Sequence, residues 1–289
     1  KNNIIFSDDT GTIFNIHVDG KINWKINIYK KLYKKIYKNL VYTIYENNIY
    51  IADNIGFIYV INFTSGKIVW IKNYSVPLKS TIKVFGDKIF LVDQDNRIIC
   101  LNISDGSKIW DIVSISSFIK SQNLLSLAVT KKGDLISINS AADIFKIKGN
   151  TGEIYWSRNT SDSLFAHDTD FFISSDIVIT EDEIIFSAEL SIFSYDIDNG
   201  NINWQNEVSS VGTPIVDRKN IFFISENGYF VILDKDKGKI ISSTNILKIL
   251  KKRKQETKIT GFVMGSGKIY AVTLNGYLIV NSALSGKAE

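Results

Sequence analysis

Gly66-Lys67-Ile68-Val69-Trp70 decides how this chain is read, because the same spacing returns along its length. Gly20 leads to Trp24, Gly106 to Trp110, Gly152 to Trp156 and Gly200 to Trp204, each with three residues between. These five tryptophans are all that the protein has, and successive ones are 46, 40, 46 and 48 residues apart. A fixed period of this size marks an array of one supersecondary unit. A sixth unit keeps the glycine, Gly238, but has Ser242 in place of the tryptophan.

Within one period the pattern is β throughout. Asn48-Ile49-Tyr50-Ile51-Ala52 is followed by the turn Asp53-Asn54-Ile55-Gly56, then by Phe57-Ile58-Tyr59-Val60-Ile61-Asn62. A second turn at Thr64-Ser65-Gly66 leads into the run ending near Trp70, and a less regular run such as Thr81-Ile82-Lys83-Val84-Phe85 precedes the next unit. Short β-branched and aromatic runs bounded by Asp, Asn, Gly and Ser read as strands joined by tight turns. No helical stretch separates them, which disfavours a parallel sheet built from βαβ units. Four antiparallel strands per period make one propeller blade, so the fold class is all-β, a β-propeller. The glycine supplies positive φ for the turn before the fourth strand. A tryptophan once per blade fills the wedge against the neighbouring blade, since blades cannot cover their own faces.

The segments Tyr59 to Trp70, Phe145 to Trp156 and Tyr195 to Trp204 carry a family resemblance. They are similar to the repeats of the pyrroloquinoline-quinone-like propeller superfamily, whose pattern is aliphatic-x-hydrophobic-Asp, a turn, then Gly-Lys-x-x-Trp. The resemblance covers nearly the whole chain and is specific for the fold, which several functions share.

Seven units are visible in residues 1–289, read as a single domain. The first, from Asn2, begins in the second strand of a blade, and the last stops at Gly286 where its fourth strand should start. The expectation is a fragment of an eight-bladed ring incomplete at both ends; a seven-bladed ring is the alternative. Two segments depart from the repeat. Tyr29, Leu32, Tyr33, Ile36, Tyr37 and Leu40 fall at helical spacing opposite Lys30, Lys31, Lys34, Lys35 and Lys38. That spacing allows a basic amphipathic helix at a membrane surface, or an inter-blade connection with solvated lysines. Ile246 to Lys258, with Lys248, Lys251, Lys252, Arg253 and Lys254, reads as a long loop or short helix between the last two blades.

Little in the sequence points to catalysis. His17 and His167 are the only histidines and neither has a partner motif. Asp196-x-Asp198 and Asp234-x-Asp236 resemble calcium loops but lack the downstream glutamate, and they recur at the repeat's turn position. Glu181-Asp182-Glu183 and Asp93-x-Asp95 also fall in turns. The one cysteine, Cys100, between Ile99 and Leu101, reads as a buried strand thiol and excludes an internal disulfide. A net charge of +4 without basic runs interleaved with stacking aromatics does not indicate nucleic acid. No stretch approaches 18 apolar residues, so no transmembrane segment is expected.

Three functions fit the resemblance. The chain resembles the β-propeller lipoproteins of the outer-membrane barrel-assembly machinery, which implies a non-enzymatic periplasmic scaffold without cofactor. Its implied partner is the periplasmic region of the barrel-inserting protein. The second is the sensing domain of a membrane receptor or kinase, the third a relative of the quinoprotein dehydrogenases. In the lipoprotein family, contact uses a Leu-x-Leu-Arg loop and, one blade later, an acidic Asp-x-Asp loop. The first falls near Val208, Ser209, Ser210 and Val211, without the arginine; the second falls near Glu256-Thr257-Lys258, which keeps one acid. The family's lipid-bearing cysteine would precede residue 1, and Cys100 is not it. The expected contact set is therefore Val208, Ser210, Val211 and Gly212 together with Lys252, Arg253, Glu256 and Lys258. The small residues would let a strand approach closely, and the basic cluster would speed encounter.

Overall fold

The computed structural model describes residues 2–114, 123–160, 172–250 and 257–287. Its strands form seven antiparallel sheets in chain order, arranged as the blades of a propeller. Blade 1 has three strands, Asn3–Ser7, Ile13–His17 and Ile22–Ile26. Blade 2 has Leu40–Tyr45, Asn48–Asp53, Phe57–Asn62 and Ile68–Asn73. Blade 3 follows with Lys83–Phe85, Lys88–Val92, Arg97–Asn102 and Lys108–Val113, and blade 4 with Leu127–Val129, Leu135–Ile138, Asp143–Ile147 and Ile154–Asn159. Blade 5 contains Val178–Ile179, Glu183–Ala188, Ser191–Asp196 and Ile202–Asn206; blade 6 contains Ile215–Asp217, Asn220–Ile224, Tyr229–Asp234 and Ile240–Asn245. Blade 7 has three, Ile259–Gly265, Lys268–Thr273 and Leu278–Ser282. Among the described residues the first sheet thus has no opening strand and the seventh no closing one, as the repeat count implied.

The first strands of blades 2 to 5 touch one another in succession and line the axis. In blades 2 to 6 the second and third strands are buried on both faces, with Tyr59, Phe90, Phe186, Phe223 and Phe230 among the largest fully enclosed side chains. Among the described residues most buried apolar side chains fall into six clusters, one at each junction between consecutive blades. The core is therefore a series of inter-blade wedges, as expected when one sheet can bury its face only against the next.

Each fourth strand repeats one device. A bulge interrupts its pairing at the same register in blades 1 to 6, for example between Val60 and Ile61 and between Ser194 and Tyr195. The tryptophan stands beside the bulge, opposite Asn15, Val60, Cys100, Lys146 or Ser194. Its indole N–H crosses to the next blade and donates to the carbonyl three residues ahead of that blade's glycine. Trp24 donates to Phe63 at 2.9 Å, Trp70 to Ile103 at 3.1 Å and Trp110 to Gly149 at 3.0 Å. Trp156 donates to Ile197 at 3.3 Å and Trp204 to Lys235 at 2.7 Å.

The glycines do more than turn the chain. Gly66, Gly106, Gly152, Gly200 and Gly238 all have positive φ, as the turn requires. A Cβ on any of them would also lie 2.4–2.9 Å from the indole of the preceding blade. The repeat thus encodes a latch in which an indole lies flat on a glycine turn. Gly20, in blade 1, has positive φ and nothing within 4 Å of its would-be Cβ.

The Tyr29–Leu40 segment is an inter-blade connection containing one 3-10 turn, Lys31–Tyr33, and not a long helix. One expectation needs correction there: Lys38 is 2% exposed, not solvated. Its ammonium donates to the Tyr33 and Ile36 carbonyls and lies 5.0 Å from the centre of the Tyr29 ring. Tyr29 is itself anchored by donating to Asp53 Oδ2 at 2.5 Å. The Lys38 contacts close the segment on itself, and the Tyr29–Asp53 bond ties it to blade 2.

Candidate partner-binding surface

Two kinds of turn define the two faces of the propeller. The glycine turns occupy one face. Inter-blade connections and the turns between second and third strands share the other, as the bonds Leu78 N–H to Asp53 O and Gln94 N–H to Pro77 O show. Short polar side chains organise that second face. Asp53 Oδ1 accepts from the N–H groups of Ile55, Gly56 and Phe57, and Asp93 Oδ1 from those of Asp95 and Arg97. Asn139 Oδ1 accepts from Ala141 and Asp143, and Ser225 Oγ from Tyr229. These are Asx-type turns, so Asp93-x-Asp95 builds the fold. Burial pushes the Asp93 carboxyl above its ordinary value despite those donors.

The other sequence candidates also resolve into structure. Asp196 accepts from the N–H groups of Asp198 and Asn199 and closes the glycine turn. Asp234 likewise accepts from Lys237, while Lys235 sits 2.6 Å from Glu183 across the seam between blades 5 and 6. Burial opposes the Lys235 charge, yet Glu183 and Asp236 outweigh it and raise the ammonium above its ordinary value. His17 lies 2.9 Å from Asp19; His167 lies outside the described residues. Cys100 is buried and its thiol is pushed up to about 12 by burial, an unreactive setting. Among the described residues no three His, Cys, Asp or Glu side chains converge as a metal site.

The connection Val208–Pro214 crosses from blade 5 to blade 6 and packs tightly. Val208 leans on the apolar cluster of that seam, and Val211 on the cluster between blades 6 and 7. Ser210 bridges to Ser225 and donates its N–H to Ser187 Oγ at 2.8 Å, while Val211 N–H donates to Ile224 O at 2.9 Å. Gly212 has ordinary φ, and a Cβ there would meet only Phe262 Cε1 at 3.6 Å. The next connection begins at Asn245, whose Oδ1 caps the 3-10 turn Ile246–Ile249. Ile246 N–H donates to Gly228 O at 3.0 Å. Both connections therefore flank one turn, Ser225–Tyr229 of blade 6, on the same face. Lys258 is exposed beyond them, its carbonyl accepting from Leu274 at 2.8 Å. Lys252, Arg253 and Glu256 lie outside the described residues.

Beside Val208 and Ser209 a notch of about 430 Å³ opens between blades 5 and 6. Val231 forms its floor, Leu190, Tyr229 and Ile240 its apolar walls, and Glu207 and Glu226 its charged rim. Its residues escaped the sequence reading because Tyr229, Ile240 and Ser243 look like ordinary strand positions. Aligning blade against blade would have marked them, since the same positions in blade 3 hold Arg97, Lys108 and Asp111.

Comparison with known proteins identifies the family. The profile described as Outer membrane protein assembly factor BamB matches residues 3–244. The chain belongs to this BamB family. It is 21% identical to Outer membrane protein assembly factor BamB of Moranella endobia (strain PCIT), covering 86% of this chain and 65% of that protein. To the Yersinia pestis BamB it is also 21% identical, covering 80% of this chain and 58% of the relative. The chain thus spans somewhat under two thirds of the length of these BamB proteins. The crystal structure of BamB from Moraxella catarrhalis superposes with a TM-score of 0.82 at 13% identity, covering all of this chain and 84% of that one. The computationally designed Ika8 protein gives 0.74 at 11% identity, covering 97% of this chain and 80% of its own. The C-terminal WD40 domain of Sif2 gives 0.72 at 12%, with 98% and 78% covered. At such identities the superpositions speak for the propeller fold alone.

Proposed function

We propose that this propeller is a non-enzymatic scaffold in the periplasm, associated with the outer membrane, that assists insertion of β-barrel proteins. It does so by binding the periplasmic domains of the barrel-inserting protein. The observation that carries this reading is the BamB-family match over residues 3–244. Loops on a propeller face are free to vary while the sheets are consumed in stacking, so recognition belongs to the connection face. The two connections flanking Ser225–Tyr229 are the natural contact, with Val208, Ser210, Val211 and Gly212 on one side and Lys258 on the other. No helix among the described residues is long and apolar enough to cross a membrane.

The test is direct binding. The purified chain and the soluble periplasmic domains of the barrel-inserting protein from the same organism are measured by biolayer interferometry. Binding that weakens about ten-fold or more in Gly212→Trp, with the melting curve retained because a side chain there meets only Phe262 Cε1 at 3.6 Å, is the expected result. A correctly folded chain that captures none of these domains would sink the reading.

A further inference from the structure

Because the blades repeat, one notch can be compared at two seams. Between blades 2 and 3 it measures about 250 Å³ and is spanned by an ion network. There Arg97 donates to Asp111 and lies 3.8 Å from Asp93, while Lys108 sits 2.7 Å from Asp111. Between blades 5 and 6 the equivalent positions hold Tyr229 for Arg97, Ser243 for Asp111, Ser225 for Asp93 and Ile240 for Lys108. The ion network is gone and the notch is larger, at about 430 Å³. That is within the range of ligand pockets, on the order of 300–1,000 Å³.

Two further features distinguish this seam. Glu207 and Glu226 on its rim are exposed, and no described cation pairs with either carboxylate. The outer strands flanking it, Ile202–Asn206 and Ile240–Asn245, carry no charged residue, whereas those of blades 1 to 4 contain Lys25, Lys72, Lys108 with Asp111, and Arg158. Charged side chains on an outer strand are how sheets discourage pairing with another chain. Here that protection is missing, while Ile240 and Ile241 are about as exposed as their counterparts Ile68 and Val69 in blade 2.

We propose that the notch between blades 5 and 6 receives an extended segment of a protein partner bearing a large apolar side chain flanked by lysine or arginine. The segment lies along the outer edge of Ile240–Asn245 and makes backbone hydrogen bonds there. Its apolar side chain enters between Leu190, Val208, Tyr229 and Ile240, over Val231. The flanking cations meet Glu207 and Glu226, whose charge no described neighbour neutralises. This inference rests on reading the protein as a protein-binding scaffold and names the chemistry of the segment bound.

The test uses the full chain and labelled decapeptides with a central Leu, Phe or Trp, flanked by Lys, by Glu or by Ser, read by fluorescence polarisation. Lys-flanked peptides should bind at least about ten-fold more tightly than Glu-flanked ones, with an advantage that shrinks as salt rises. The double variant Glu207→Lys with Glu226→Lys should remove that preference. A second variant, Tyr229→Arg with Ser243→Asp, rebuilds the blade 3 ion pair across the notch and should abolish binding with the melting curve retained. Equal affinity for Lys- and Glu-flanked peptides, or binding unchanged in the charge-reversed variant, overturns the proposal. Since both glutamates are exposed, that variant decides the matter even where the notch-filling one fails to fold. Peptides that bind as expected while the periplasmic domains do not would uphold the notch and remove the barrel-assembly partner. Normal capture of those domains by a folded notch-filled variant would do the reverse.

Discussion

Gly200 has φ +70°, and the indole of Trp156 occupies the place of its missing Cβ, with Cε3 only 2.6 Å away. An alanine there meets a left-handed backbone, costing about 1–2 kcal/mol, and a buried ring that cannot withdraw. Gly267 separates the two effects, because its φ is +73° and nothing lies within 4 Å. Urea unfolding should therefore show a larger loss for Gly200→Ala than for Gly267→Ala; equal losses would mean the indole contact is unimportant. Trp156→Ala should cost roughly 3–5 kcal/mol, as for other buried aromatic truncations. Asp111 offers a pH readout at the same scale. Hydrogen bonds from Lys108 and Arg97 hold its carboxyl below the ordinary 3.8. A depressed carboxyl contributes stability above its unfolded value and loses it as pH falls through the folded one. The stability gap between the native protein and Asp111→Asn should accordingly be full at pH 7 and close below about pH 3.8, followed by thermal melts.

At the scale of elements, blade 6 shows how the repeat survives losing its tryptophan. Ser242 stands at that position, and Gly286 of blade 7 meets Thr244 instead of an indole. Ile246 and Leu247, from the turn after the strand, enter the cluster between blades 6 and 7. Leu247 presses on Gly228, whose Cβ would lie 2.4 Å from it. Leu247→Ala should thus cost about 2–5 kcal/mol in urea unfolding. Gly212→Ala, with ordinary φ and open space, should change stability by less than about 1 kcal/mol. The blades were legible in sequence because each strand is a short apolar run bracketed by turn residues, and the glycine–tryptophan spacing recurs. The Tyr29–Leu40 segment was ambiguous because helical spacing over so few residues is weak evidence. Its conformation depends on Asp53 and on the carbonyls gathered by Lys38, and no local pattern reports those contacts. The notch was illegible for a related reason: it arises where Tyr229 and Ser243 decline to form a pair that Arg97 and Asp111 form elsewhere.

For the whole molecule, stability in such an array is a sum of blade terms and nearest-neighbour seam terms. Trp110 covers Gly152 at the seam between blades 3 and 4, and Trp156 covers Gly200 at the seam between blades 4 and 5. Gly152 and Trp156 border the same outer strand of blade 4, so loosening one seam shifts the backbone that presents the other. Trp24 and Trp204 share no blade, serving the seams between blades 1 and 2 and between blades 5 and 6. Substitutions at distant sites normally add to within about 0.3–0.5 kcal/mol, whereas coupled ones deviate by roughly 0.5–3 kcal/mol. A double-mutant cycle on Trp24→Ala and Trp204→Ala should close within the additive limit, and one on Trp110→Ala and Trp156→Ala should not. Far-UV circular dichroism in urea reads both cycles without relying on the tryptophans removed. Additivity in the adjacent pair would mean that each seam is an independent contact and that blade 4 transmits nothing between its two faces.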